Sequence, residues 1–129
     1  VAGRESSPAR VLPLDELESA IPPGTVDVAV NIHSFSECAP GAIDAWLAFL
    51  ARKRVGHLMV VPNAVTYDDS AGADGADGVT MRTNEGPDFT RIVHRHGYRL
   101  VASEPKFADP VVQEYGLSPA AHLLFRLQS

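Results

Sequence analysis

One cysteine stands in the whole chain, Cys38, so no internal disulfide can form. An oxidising compartment is therefore not required, and the cytoplasm is the expected setting. No apolar run approaches the ~20 residues that span a bilayer. No signal-peptide pattern is present either, so no membrane partner is expected. Basic residues are the minority, 11 against 16 acidic ones, for a net charge of −5. They are also scattered, whereas phosphate binding needs a clustered basic surface, which argues against a nucleic-acid partner. The densest run, Arg52–Lys53–Arg54, falls where a helix should end and there complements the helix dipole. No glycine-rich phosphate or nucleotide loop precedes the first buried-looking strand.

What is present fits one globular domain. The 129 residues allow a modest core, and 45% hydrophobic with 21% charged residues is ordinary for such a domain. The polar opening, residues 1–9, reads as a flexible lead-in, and a first residue of Val1 points to a processed product or a fragment. Residues 10–129 carry the fold. Arg10–Leu12 reads as a short strand stopped by Pro13, and Leu14–Ile21 as a short helix with early acids. Pro22–Pro23–Gly24 is a turn. Asp27–His33 is a near-continuous apolar run, which suits a parallel strand covered on both faces. Pro40–Lys53 is the clearest helix: Ile43, Trp46, Leu47 and Leu50 form one stripe, which places Trp46 in the core. Val55–Val61 is a second buried strand, completing a strand–helix–strand crossover. Residues 68–78, DDSAGADGADG, read as a mobile loop. Asp88–His96 is a helix, with Gly97 just past its end. Tyr98–Ser103 and Ala121–Leu127 are strands, with an irregular Glu104–Pro119 between them. The fold class is α/β: a mostly parallel sheet, an antiparallel C-terminal strand and helices packed on the sheet.

In open α/β sheets ligands sit at the carboxyl ends of strands. Two strand ends carry polar residues: Asn31, His33, Ser34, Ser36 and Glu37 after the first apolar strand, Asn63 and Tyr67 after the next. Each has a structural alternative. The serines can cap a helix, a buried Asn31 can tie its strand to a neighbouring loop, and Pro62–Asn63 can serve as a turn. No metal site is expected. His94 and His96, two apart on a helix, do not share a face. The Asp- and Gly-rich loop lacks side-chain oxygens at the third and fifth positions of a calcium loop, whether started at Asp69 or Asp74. Cys38 has only His33 nearby in sequence, too little for a nucleophile.

The element order, closed by an antiparallel strand, resembles the carboxyl half of a Rossmann-like S-adenosylmethionine-dependent methyltransferase. VDVAVNIHSFSE looks like the fourth strand of that fold and its loop. The spacing of Asn31, Ser34 and Glu37 is similar to a cluster in sugar O-methyltransferases. HGYRLVASEP and DPVVQEYGLSPAAHLLFRL look like the sixth strand, the connection and the seventh strand. The resemblance covers about residues 10–128, a partial Rossmann-like sheet without the glycine-rich cofactor loop.

The resemblance implies S-adenosylmethionine as donor and a small-molecule hydroxyl, on a sugar, as acceptor. A sugar hydroxyl is weakly acidic, so its proton needs a positioned base. His33, with a reference pKa near ~6.5, is the candidate. Glu37 can orient that imidazole, bind a sugar hydroxyl or act as base itself. Asn31, Ser34, Asn63 and Tyr67 are candidate acceptor contacts. Leu14 and Asp15 would lie against the adenine of the cofactor, although Asp15 better suits the start of the short helix. A rival expectation is a non-catalytic α/β module, completed by self-association or a partner chain through an open sheet edge.

Overall fold

The computed structural model describes residues 9–67, 78–115 and 121–129. The lead-in expected over 1–9 and the loop expected over 68–78 fall, except for residues 9 and 78, outside that description. Regular structure begins with a 3-10 turn, Leu14–Glu16, running into α1, Leu17–Ala20. Next come β1 (Val28–Ile32), α2 (Ser34–Glu37), α3 (Pro40–Arg52) and β2 (His57–Val61). They are followed by β3 (Val65–Tyr67), β4 (Val79–Met81), α4 (Thr90–Arg95), β5 (Tyr98–Pro105), α5 (Pro110–Tyr115) and β6 (Ala121–Leu127).

The main sheet has the order β1-β2-β6-β5. β1 and β2 are parallel, in register from Val28 opposite His57 to Ile32 opposite Val61. β6 runs antiparallel to both β2 and β5. The expected antiparallel last strand is therefore present, but the expected mostly parallel sheet is not: two of its three pairings are antiparallel. The cause is position. β6 enters between β2 and β5, so one reversed strand converts two pairings, while β1, β2 and β5 still point the same way. A small antiparallel sheet, β3 with β4, was not expected.

The core lies on one face of the main sheet. Leu58 and Val60 of β2 and Leu123 and Phe125 of β6 turn toward Ile43 and Leu47 of α3 and toward Ile92 and Val93 of α4. Each such side chain, fully buried, contributes about 1.5–3 kcal/mol. α3 begins at Pro40, whose fixed φ suits a first helical residue. It ends in two reversed-turn bonds, Val55 N–H to Leu50 O at 3.0 Å and Arg54 N–H to Ala51 O at 3.0 Å. Arg54 takes the left-handed position, φ 51°, that glycine usually fills. Arg52 and Lys53 do more than complement the dipole: both pair with Glu18, and Lys53, only 7% exposed, also donates to the Glu18 carbonyl at 2.7 Å. Those bonds, Lys53 first, hold the Glu18 carboxyl below its usual range. His96 joins the helices, its Nε2 lying 2.8 Å from Asp44 Oδ1.

Four local expectations need correction. β1 is not covered on both faces: Val28, Val30 and Ile32 are about half exposed, and only Ala29 and Asn31 turn inward. It is an edge strand, and no described element packs over its outer face. Trp46 is 38% exposed, because the buried stripe centres on Ile43 and Leu47, leaving Trp46 on the flank, edge-on to Phe49. Arg10–Leu12 pairs with no strand. The connection after β5 holds a helix, α5, whose start is capped by Asp109 Oδ1 accepting from Val111 N–H at 2.8 Å.

Tyr98 fastens β5 to the end of α3. It is fully buried, and its hydroxyl donates to Val55 O at 2.8 Å. Burial pushes its pKa up to about 12. An unfolded tyrosine ionises near ~10, so the unfolded chain releases this proton first. The stability is full below that value and declines as pH rises toward the folded one. Tyr98→Phe should cost about 1–2 kcal/mol at neutral pH by leaving a buried carbonyl short of a partner. Denaturant titrations should also show a weaker loss of stability between about pH 10 and 12 in the variant than in the native chain.

Candidate functional site

β1 and β2 end side by side, and their carboxyl ends carry the polar cluster. His33 extends the ladder by one bond, its N–H donating to Val61 O at 2.8 Å. The backbone then turns sharply, with His33 in the left-handed region at φ 64° and ψ −27°. A non-glycine residue held there costs about 1–3 kcal/mol and persists only where its surroundings fix it. Asn31 does much of the fixing. Its Oδ1 accepts from Phe35 N–H at 3.0 Å, and its Nδ2 donates to Ser34 Oγ at 2.6 Å. Phe35 then seals the turn to the core, 4% exposed and edge-on to Phe89.

Ser36, only 1% exposed, joins this turn to two others. Its Oγ accepts from Asn63 N–H at 2.9 Å, at the end of β2. Its carbonyl accepts from Asn84 N–H at 2.7 Å, in the turn after β4. A chain of side chains runs above these bonds: His33 Nδ1 lies 2.7 Å from Asn63 Oδ1, and Asn63 Nδ2 donates to Asn84 Oδ1 at 2.9 Å.

Two depressions flank the turn. One, of about 360 Å³, is apolar and runs along β1 and α3 between Val30, Trp46, Leu50 and Leu58, with Asn31 and Ser34 among its lining residues. The other, of about 450 Å³, is polar, lined by Ser36, Glu37, Thr83, Asn84 and Glu85. Cys38 borders both. The second offers the exposed Asn84 amide and the Glu37 and Glu85 carboxylates, groups that can hydrogen-bond a polyol, while the Ser36 and Thr83 side chains are buried.

The structure thus places Asn31, His33, Ser34 and Asn63 at one turn but in two separate sets of bonds, Asn31 with Ser34 and the Phe35 N–H, and His33 with Asn63. Glu37 is exposed and lines the polar depression, but the described partner of the imidazole is Asn63, not Glu37. Tyr67 lies apart, 62% exposed, with its hydroxyl 3.2 Å from Ser103 Oγ. Leu14, 74% exposed, lines a third depression against Ala42, Ala45, Trp46 and Phe49 of α3. Asp15 sits beside it in the 3-10 turn, and neither residue bonds to the cluster. Among the described residues no group of three or more His, Cys, Asp or Glu could hold a metal ion. Asn84 was not foreseen. Its only signal was a polar turn, Thr83–Gly86, of the kind that closes a hairpin.

The two residues that the resemblance assigned to the cofactor, Leu14 and Asp15, stand apart from the strand ends. No glycine-rich loop precedes β1 in this sequence. Comparison of the chain with protein-family models and with curated proteins returned no match. Ser36→Ala should lower stability by about 1–2 kcal/mol, since Asn63 N–H loses its acceptor. Urea denaturation checks this, and a change within about 0.3 kcal/mol would show that the serine is not the junction of the three turns.

Proposed function

We propose that these residues form the acceptor side of an S-adenosylmethionine-dependent methyltransferase that acts on a small-molecule hydroxyl, that of a sugar. The observation that carries this reading is the His33–Asn63 pair at the carboxyl ends of two adjacent parallel strands, joined through Asn84 to a depression lined by the Glu37 and Glu85 carboxylates. The reversed C-terminal strand, paired with β5, supports the Rossmann-like assignment of the sheet. S-adenosylmethionine would supply the methyl group. The chain's own residues handle the acceptor. Glu37, with Asn84, accepts and donates hydrogen bonds to sugar hydroxyls. As the reacting hydroxyl gives up its proton, His33 Nε2 receives it. A positioned base of this kind is worth about 10²–10⁴ in rate.

The test is transfer of labelled methyl from S-adenosylmethionine to a panel of monosaccharides by the natural protein that carries this sequence. Label should enter the sugar. His33→Ala and Glu37→Gln should each cut turnover by about tenfold or more with thermal stability nearly unchanged. Absence of transfer, together with no calorimetric affinity for S-adenosylhomocysteine, would sink the proposal.

A second reading rests on a separate observation. Among the described residues β1 has an unpaired edge, and Val28, Val30 and Ile32 are half exposed beside it. Across the same face the register sets Val30 next to Met59, Leu124 and Ala102. Such an edge is a template for another strand. A second copy fits it: antiparallel pairing about Val30 repeats one patch twofold and brings Asp27 of one copy to His33 of the other. Sedimentation over a hundredfold range of concentration should then show a dimer that Val30→Lys abolishes; a monomer at every concentration rejects the second copy.

A further inference from the structure

Asn63 stands in the middle of the polar chain, and its two ends are chemically different. The amide nitrogen is committed as a donor to Asn84 Oδ1 at 2.9 Å, so the oxygen faces His33 Nδ1 at 2.7 Å. An amide oxygen can only accept. The proton of a neutral imidazole must then sit on Nδ1, where it is shared with Asn63. The other ring nitrogen, Nε2, keeps its lone pair, and no described residue bonds to it. Which nitrogen of a histidine is free is set by the bond the other one makes.

The amide itself is well anchored. The Asn63 backbone N–H is tied to the buried Ser36 hydroxyl, and the Asn84 backbone N–H to the Ser36 carbonyl. Both asparagines are thus fixed relative to the turn that carries His33. The bond from Nδ1 to Asn63 Oδ1 holds the ring at the strand end.

We infer that Asn63, backed by Asn84, is a positioning residue: it holds His33 in the tautomer protonated on Nδ1 and leaves Nε2 as the proton acceptor. The catalytic meaning of this assignment rests on the proposed function; the tautomer itself does not. The hydroxyl proton would pass to Nε2 and give an imidazolium whose Nδ1–H remains on Asn63 Oδ1. Neither asparagine exchanges a proton.

Long-range nitrogen–carbon-proton correlation spectra of the histidine-labelled chain read the tautomer directly, with His33→Gln assigning the resonance. The native chain should show a protonated Nδ1 and an unprotonated Nε2 above the imidazolium range. Asn63→Ala should give mixed tautomers, Asn63→Asp should restore the proton to Nδ1, and Asn84→Ala should give a partial shift. The Ser36–Asn63 backbone bond is kept in all three, so the fold is retained and native-like amide spectra confirm it. A native His33 protonated on Nε2, or an unchanged tautomer in Asn63→Ala, overturns the inference. In the methyl-transfer assay Asn63→Ala should lower kcat by about tenfold with little change in KM, and Asn63→Asp should recover most of it. The expected tautomer without any transfer upholds the positioning role and rejects the methyltransferase reading instead.

Discussion

Three turns of this protein meet on one buried serine. The Ser36 hydroxyl takes the first N–H beyond Pro62, and its carbonyl takes the N–H of Asn84. Those bonds fix the end of β2 and the turn after β4 to one residue, beside the direct Asn63–Asn84 side-chain bond. Water cannot replace them easily at a residue almost wholly buried, because each lost partner leaves a polar group desolvated and unpaired. The position of Asn63 relative to His33 follows from this junction. The site is therefore built from the backbone upward: strand ladder, buried hydroxyl, then the side-chain amides.

The sheet decides where that junction stands. β1 and β2 are parallel neighbours, so both carboxyl ends open at the same edge of the sheet. β6 enters beside β2 in the opposite direction and supplies Leu123 and Phe125 to the same core as Leu58 and Val60. α3 and α4 close that face and are joined by His96 and Asp44. The other face keeps apolar residues half exposed along β1. One molecule thus has a sealed side that supports the strand ends and an open edge that can be paired.

Most long elements were legible in the residues because their signals are local. The α3 stripe, the Val and Leu runs of β2 and β6, and Gly97 after α4 all lie within a few residues of what they control. Asn31, His33, Ser34 and Asn63 were legible for a similar reason: polar residues placed directly after apolar strands. What stayed hidden depends on distant partners. An apolar run such as VAVNI reads the same in an edge strand and a central one, since only the neighbours decide burial. The insertion of β6 between β2 and β5 is a choice of sheet order that alternation cannot encode. Asn84 lies 21 residues from its partner Asn63, and nothing in TNEG marks it as more than a turn.

The strain at His33 separates the two acidic and basic members of the candidate site. A left-handed histidine costs about 1–3 kcal/mol, while a single hydrogen bond returns about 0.5–1.5 kcal/mol. One bond is not enough, and the turn has several: His33 N–H to Val61, Phe35 N–H to Asn31, and the imidazole to Asn63. The burial of Phe35 adds to them. His33 is consequently over-determined, its ring set before any ligand arrives, which is what a proton acceptor needs to act without reorganising. Glu37, at the exposed end of the same short helix, has no such restraint among the described residues. Its carboxylate is free to follow a ligand. On the proposed reading, a fixed base beside an unrestrained carboxylate would suit an acceptor whose reacting hydroxyl must be placed accurately while its other hydroxyls vary.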